Sequence, residues 1–496
     1  MLNKLGKKSG LLIWALALAV ALSACTSSGG KDKSGLNSLD REDKGSLKVA
    51  YFNEEAFYMQ YGNAFQAMFP NIQLEVISTE SVFNAEVPVA EMEKLVKEQQ
   101  PDALYLTEEQ YAELAGKGLL YDLDAVVKQD EFDLDSFHPS VIELLKARGA
   151  GKLYGLSPSF STQALYYNKD MFDKYGIPYP TDGMSWEEVM QLAARFPVKK
   201  DGDDALLGLS QSTQTTNPFD LIRAIGEAKG LTYADADAGT VSIESPEWKS
   251  IFQSVIDGYK SGSISMPSDS GGGAGGGVMR SMGGKMAITF GPDSMKFMSG
   301  KAAMTIDGSM LMNMLGMEKK MGSAGAISSE KSTSSSSAGG KPMKSPFKNI
   351  NWDVVTVPVD PSQPDVTGSM SLNSVFSINA SSENLSAAWE FLKYVNGEQL
   401  AKTSTKSSPE LSARTAFKND ADGKNIDAFY KLKANSQTLL QTLPEGFADD
   451  FSKLAGERIK QVVTGSTTLD EALKQIQTKG QLLLTEASAK AKAGQE

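Results

Sequence analysis

The sequence predicts an α/β protein, on three observations. From Leu47 onward, segments with apolar residues at the strand period alternate with segments at the helix period. A run of helices closes the chain. Charged residues make up 22% and hydrophobic residues 41% of the 496, a balance that suits a globular chain long enough for two or more cores.

Leu47 to Phe52 reads as the first strand, and Glu55 to Phe69 as a helix stopped by Pro70. Ile72 to Ile77 then alternates apolar and polar residues, as a half-buried strand does. A strand, a helix and a strand in that order favour a right-handed crossover and parallel pairing. The unit repeats with a Glu/Lys-rich helix from Val89 to Gln99, the short apolar strand Pro101 to Leu106, and an amphipathic helix from Glu108 to Ala115 stopped by Gly116 and Gly118. Thr162 to Tyr167 is a further apolar strand, followed by helices over Lys169 to Tyr175 and Trp186 to Arg195. The latter is introduced by a capping box of Ser185 and Glu188. Trp352 to Val357, ending at Pro358, and Phe376 to Ile378 read as strands, and Leu385 to Val395 as a helix. The tail predicts helices over Asp427 to Leu440, Phe447 to Val463 and Leu469 to Leu484, the last with Thr467 and Thr468 as caps.

Two segments interrupt this reading. Residues 267–277, with glycines from Gly271 to Gly277, and residues 323–344, rich in Ser, Gly and Lys, read as flexible surface inserts. The glycine run is no phosphate loop, because no Gly-Lys-Ser/Thr ends it and no strand-to-helix context surrounds it.

The N-terminal segment carries the sharpest local signal. Lys4, Lys7 and Lys8 precede an uncharged run from Leu11 to Leu22, and Leu22-Ser23-Ala24-Cys25 follows. The apolar run is shorter than the ~20 residues that span a bilayer comfortably. Residues 1–24 therefore read as a lipoprotein signal peptide, with Cys25 as the lipid-bearing first residue of the mature chain. The acyl chains would hold the protein at the membrane, and residues 25–46 read as a flexible polar tether.

Composition excludes several chemistries. Once the single Cys is lipidated, no thiolate nucleophile, disulfide or Cys-ligated metal is available. The single histidine, His138 before Pro139, argues against His-based metal sites and Ser-His-Asp triads, and reads as a loop or helix-cap residue. No cofactor is implied. A formal charge of −12 argues against nucleic acid or an anionic membrane surface as partner.

The stretch Gly151-Lys152-Leu153-Tyr154-Gly155-Leu156-Ser157, continuing through Leu165-Tyr166-Tyr167-Asn168-Lys169-Asp170-Met171-Phe172 to Ser185-Trp186-Glu187-Glu188, resembles the family 1 extracellular solute-binding proteins. These are the maltose-binding-like, sugar-type receptors of ABC importers. The resemblance continues at Phe297 to Gly308, at Ala388 to Val395 and at Leu411-Ser412-Ala413-Arg414. It implies a two-lobe periplasmic-binding-protein-like fold (type II), with the ligand in a cleft between discontinuous lobes. Lobe one would hold residues 47–157 and 377–410, and lobe two residues 158–376 and 411–496. It also implies a monomer whose partners are a small ligand and ABC permease subunits in the membrane.

Such receptors hold sugars by stacking aromatic faces on the ring while carboxylates and amides bond the hydroxyls. By place in the chain, the ligand loops hold Asn53, Glu54, Glu55 and Tyr58 after the first strand, and Thr107 after the third. Phe160, Ser161 and Gln163 lie in the first crossover, and Ser371 and Asn373 in the later one. Glu54 and Glu55 also suit a helix N-terminus, and Tyr58 a buried helix face. Tyr166, Tyr167, Trp186 and Trp389 fall at strand and helix periods and read as core. Two departures bear on the ligand. Ser309-Met310 stands where relatives often place a stacking aromatic, and Ser371-Leu372-Asn373 where many have a glycine pair; Met310 can pack on a sugar ring in the aromatic's stead.

The leading functional reading is a lipid-anchored extracytoplasmic receptor that delivers a small ligand, a carbohydrate by resemblance, to an importer. A sensory or scaffold lipoprotein on the same fold is the alternative. An exported glycosidase using two carboxylates is a weaker one, because 61 acidic residues supply pairs of no specificity.

Overall fold

A computed structural model describes residues 36, 39–85, 87–199, 206–212, 215, 217–267, 278–282, 285–289, 295–324, 349–372, 374–405, 408, 410–418, 423–435, 443, 444 and 446–493. Cys25, Asn373, the glycine run and most of the Ser-rich insert lie outside these residues.

The first half begins with β1 (Gly45–Tyr51), β2 (Ile72–Ser78), α1 (Pro88–Gln99), β3 (Ala103–Leu106), α2 (Glu108–Gly116) and α3 (Pro139–Arg148). Next come β4 (Gly155–Leu156), β5 (Ser159–Phe160), β6 (Gln163–Asn168), α4 (Lys169–Tyr175), α5 (Trp186–Ala194), β7 (Leu207–Ser210), α6 (Pro218–Ala228) and α7 (Pro246–Ser261). The second half carries β8 (Ala302–Gly308), α8 (Ser309–Ala324), β9 (Trp352–Thr356), β10 (Val375–Ile378), α9 (Leu385–Val395), β11 (Leu411–Ser412), α10 (Phe447–Val463) and α11 (Leu469–Ala493).

Two sheets organise these elements. The first has the order β2-β1-β3-β10-β4 and the second β9-β6-β8-β7. In the first, β1 runs parallel to β2 and to β3, as the strand-helix-strand reading expects, and the returning β10 enters antiparallel between β3 and β4. In the second, β6 runs antiparallel to both neighbours, while β8 and β7 are parallel. Strand β6 is buried on both faces: Ala164 and Tyr166 belong to one core, Leu165 and Tyr167 to the other. That double burial gives it the near-continuous apolar sequence of a central strand. Tyr166, Tyr167, Trp186 and Trp389 are all buried, as their periodicity predicts.

Local chemistry fixes the boundaries. Thr107 and Gln110 form a capping box on α2, Ser185 and Glu188 one on α5, and Asn217 and Asp220 one on α6. His138 caps α3 by accepting the Ser140 N–H at Nδ1. Thr468 accepts the Glu471 N–H at the start of α11.

Three features differ from the sequence reading. The expected helix from Glu55 to Phe69 is helical over Glu54–Phe57 and Asn63–Met68, with one π-turn, Tyr58–Gly62, between them. Gly62 is required there, because a Cβ would stand 2.8 Å from the Phe57 ring. The expected helix from Asp427 to Leu440 is absent over its described part: Ile426–Phe429 forms a 3-10 turn and Lys433–Ala434 pairs as a strand with Val366–Thr367. Pairing and burial of Ile426, Ala428 and Phe429 override the helix propensity of that stretch. Helices α3, α6 and α7, not singled out in the sequence, carry much of the packing, and α6 also builds the site.

Candidate functional site

The strand registers turn one edge of each sheet toward the chain crossings. Because β1, β2 and β3 are parallel, their carboxyl ends at Tyr51, Ser78 and Leu106 share an edge. Val375, the first residue of β10, pairs with Leu106, so the chain enters the first sheet from the second at that edge. In the second sheet Gly308 pairs with Gln163, Thr356 with Ala164 and Thr305 with Ser210. The ends of β7, β8 and β9 therefore gather where β6 begins, beside the crossover. This is the edge at which open α/β folds place ligands.

An open cleft of about 630 Å³ lies there. Its lining includes Ser161, Gln163 and Ser371 from the crossings, Ser210 at the end of β7 with Gln211 and Ser212 after it, Ser309 and Met310 after β8, and Glu410. The crossings are joined: Ser161 N–H donates to the Ser371 carbonyl and Ser371 N–H to the Ser161 carbonyl, both at 2.9 Å. Ser369 Oγ reinforces the junction, 2.9 Å from Thr162 Oγ1 and 2.8 Å from Thr367 Oγ1, and accepts the Gln163 N–H at 3.3 Å.

Helix α6 supplies the charged wall. Asp220, Arg223, Ala224 and Glu227 line the cleft at helical spacing, while Phe219, Ile222 and Ile225 bury the opposite face. Arg223 Nη1 donates to Glu227 Oε1 at 2.8 Å. Desolvation pulls the Arg223 guanidinium's pKa down, but Glu227 and Asp220 outweigh it and leave a net rise. Opposite, Glu410 accepts from Ser159 Oγ. Burial raises the pKa values of Tyr105, Tyr51 and Tyr61, and the negative charge of Glu410 adds to it. With Asp220, Glu227 and Glu410 against Arg223, the charged groups of this lining carry a formal net charge of −2, counted as three acids and one base.

Of the sequence-selected ligand residues, Ser161, Gln163, Ser371 and Met310 come together in the cleft. Phe160 does not: it is buried in the first core, 5.2 Å from the His138 ring and 5.4 Å from that of Tyr430. Asn53 caps the helix at Glu54–Phe57 by accepting the Ala56 N–H at 2.9 Å, and Glu54 and Glu55 are exposed in its first turn. Tyr58 is half-buried against Phe57, and Thr107 caps α2. These five stand at the first sheet's facing edge without lining the cleft. Asp220, Arg223, Glu227, Gln211 and Glu410 are cleft residues that the sequence reading does not reach. For the first three the sequence holds a signal, polar residues at i, i+3 and i+7 after the Asn217-Pro218 helix start.

No group of three or more His, Cys, Asp or Glu side chains suited to a metal occurs among the described residues. No helix among them is long and apolar enough to cross a membrane.

The family model of bacterial extracellular solute-binding proteins matches residues 60–429. The chain belongs to that family. This solute-binding protein shares its fold with the sugar-binding protein MalE from Xanthomonas citri, with TM-score 0.60 at 17% identity over 91% of this chain and 100% of that one. It is also similar to a sugar transporter protein from Rhizobium etli in an open conformation, with TM-score 0.59 at 19% identity over 88% and 98%. The GacH receptor of Streptomyces glaucescens, solved unliganded and with acarbose, matches with TM-score 0.56 at 19% identity over 90% and 99%. These likenesses establish the two-lobe periplasmic solute-binding fold. In sequence, the match to binding proteins of Brucella abortus is 28% identical over 145 residues and spans about a third of those relatives' length, 33%. The family and the structural relatives are binding proteins, not enzymes.

Proposed function

We propose that this solute-binding protein captures a neutral, polyhydroxylated carbohydrate outside the cell and hands it to an ABC importer, anchored by lipid at Cys25. The cleft lining carries the reading. Hydroxyl and amide side chains surround Arg223 and three carboxylates, groups that bond sugar hydroxyls as donors and acceptors. The net negative charge of the lining disfavours an anionic solute. Sugar-binding relatives of the same fold support the class.

The two lobes would be built on the two sheets, 47–157 with 377–410 and 158–376 with 411–496, as the resemblance implies. We propose that residues 411–415 go with the first lobe instead. Leu411 pairs with Phe160, the Ala413 carbonyl accepts the His138 N–H and the Thr415 N–H donates to the Ser136 carbonyl, whereas Asn425 bonds Asp353 and Val354 of the second sheet. Binding across the cleft would favour the closed form, which the permease then recognises.

A thermal-shift screen of the purified protein against neutral sugars tests this. At ~100 times the dissociation constant a ligand adds roughly 2.7 kcal/mol of stability. Arg223→Ala should weaken the hit at least about tenfold, and because its pair with Glu227 is half-buried some loss of unliganded stability is expected as well, so affinities are compared at a temperature where both proteins are folded. A panel without sugar hits but with a peptide or polyamine hit overturns the ligand class. For the anchor, Cys25→Ala should abolish partitioning into detergent; equal partitioning of both proteins would sink that assignment.

A further inference from the structure

We propose that Phe52 and Phe83 form a second ligand subsite, an aromatic platform on the first sheet's rim that holds a distal ring of an elongated ligand. This rests on the carbohydrate reading above and adds the ligand's length to it. Most large aromatics of the chain are buried, yet Phe52 is 41% and Phe83 36% exposed. Their rings touch each other, centroids 5.8 Å apart at 60°.

The pair is held in place by its surroundings. Phe52 follows β1, and Phe83 ends the short helix Glu80–Phe83 that follows β2. The two loops are tied together: Thr79 N–H donates to the Tyr51 carbonyl at 2.9 Å, Ser78 Oγ to the Phe52 carbonyl at 3.0 Å, and Asn53 Nδ2 to Glu80 Oε1 at 3.3 Å. Flat apolar faces beside an amide and a carboxylate suit a sugar ring, which offers C–H groups on its face and hydroxyls at its edge.

Place in the sheet gives the length. The parallel registers put Phe52 and Phe83 on the edge at which the chain, coming from the cleft-lining Ser371, enters the first sheet. Along that edge β1 lies two strand spacings from β10 and β2 lies three, roughly 10–14 Å. A ligand seated at Ser161 and Ser371 therefore reaches the platform only if it extends beyond one ring. The opposite wall offers no exposed aromatic among its described residues. Trp186 is buried there, and the exposed apolar side chain is Met310, at 44%. Among the described residues, ring stacking has to come from the first sheet.

The test is titration calorimetry of the purified full-length protein with neutral gluco-, galacto- and xylo-oligosaccharides, each from mono- to tetrasaccharide. For the series that binds, affinity should rise with length. Phe52→Ala and Phe83→Ala should each weaken the longer sugars about tenfold and the monosaccharide less than about twofold. Phe52→Tyr should restore the wild-type affinity at a melting temperature close to that of the wild type, which separates lost stacking from lost packing. Equal loss across all lengths, or none at any, overturns the platform while leaving the carbohydrate reading intact. Unchanged affinity with reduced uptake by whole cells would assign the rings to the importer and also overturn it. No saccharide binding to the wild type would remove the carbohydrate reading and the platform with it.

Discussion

Ser161 and Ser371 bond each other twice through the backbone, N–H to carbonyl in both directions at 2.9 Å, and so close the two chain crossings into one ribbon. The ribbon meets both sheets: Gln163 opens β6, and Val375 opens β10. The same two residues line the cleft, so the ribbon that joins the crossings and one wall of the cleft are the same piece of chain.

Ser371→Pro deletes one of those two donors and should lower the unliganded melting temperature by roughly 1–3 °C, from a lost half-buried hydrogen bond and an orphaned carbonyl worth ~1–3 kcal/mol against an unfolding entropy of ~1 kcal/mol/K for a chain of this size. Ser371→Ala keeps the backbone pair and should act on ligand affinity instead. Differential scanning calorimetry of the two variants separates the roles; equal melting temperatures would show that the ribbon does not bear load.

Trp389→Ala should be among the most destabilising single changes, at about 3–5 kcal/mol. The indole is 2% exposed, and its Nε1–H donates to Asp130 Oδ2 at 2.7 Å, an oxygen that also accepts from Lys393 Nζ at 2.9 Å. Trp389→Phe keeps most of the ring volume and loses the hydrogen bond, so it should cost about 1–2 kcal/mol. Urea unfolding measures both, and a smaller loss for Ala than for Phe would contradict the packing argument.

His138 gives the fold a pH dependence of definite sign. Burial depresses the imidazole's pKa below its ordinary 6.5, outweighing the Tyr430 carbonyl and the Glu143 carboxylate, which favour the charged ring. The ring nitrogens are both engaged, Nε2 3.1 Å from the Tyr430 carbonyl and Nδ1 accepting the Ser140 N–H at 3.3 Å, an arrangement that fits the neutral Nε2–H tautomer. Between the two pKa values only the unfolded chain takes up the proton, so this stability is fully present above pH 6.5 and is lost as pH falls below it. His138→Asn keeps a capping acceptor and should flatten the fall in melting temperature as pH drops below about 6.5. Parallel pH profiles for variant and wild type would refute the assignment.

Elements whose periodicity and caps agree were legible in the sequence. Lys169–Tyr175, Leu385–Val395 and Phe447–Val463 are helices with the predicted ends. Arg414, one residue of the family-like Leu411-Ser412-Ala413-Arg414 motif, proved structural. Its guanidinium is buried, with Nε donating to the Asn396 carbonyl at 2.7 Å and the Phe137 ring 4.5 Å away. The site was harder to read. Phe160 has the residue type for stacking on a sugar, but β5 turns it into the core, because a two-residue strand leaves too little pattern to tell inward from outward. Arg223 and Glu227 look like an ordinary solvent-facing pair on an amphipathic helix. Only the sheet registers bring that face to the crossover.

Trp186 offers a direct readout of the cleft. The chain has five tryptophans. Trp14 lies outside the described residues, and Trp248, Trp352 and Trp389 are buried without lining the cleft. Trp186 lines it while only 3% exposed, and its indole N–H has no acceptor among the described residues. A buried donor without a partner is costly, ~1–3 kcal/mol, so a ligand oxygen or an ordered water brought to it would be held firmly. Ligand binding should therefore shift the intrinsic emission through Trp186 above all. Trp186→Phe should abolish most of that change while Trp248→Phe preserves it, even if both variants lose stability. The apparent affinity of Trp186→Phe, read by calorimetry, should fall by less than about tenfold, the worth of one neutral hydrogen bond. A full emission change surviving in Trp186→Phe would mean that the ligand sits elsewhere than in this cleft.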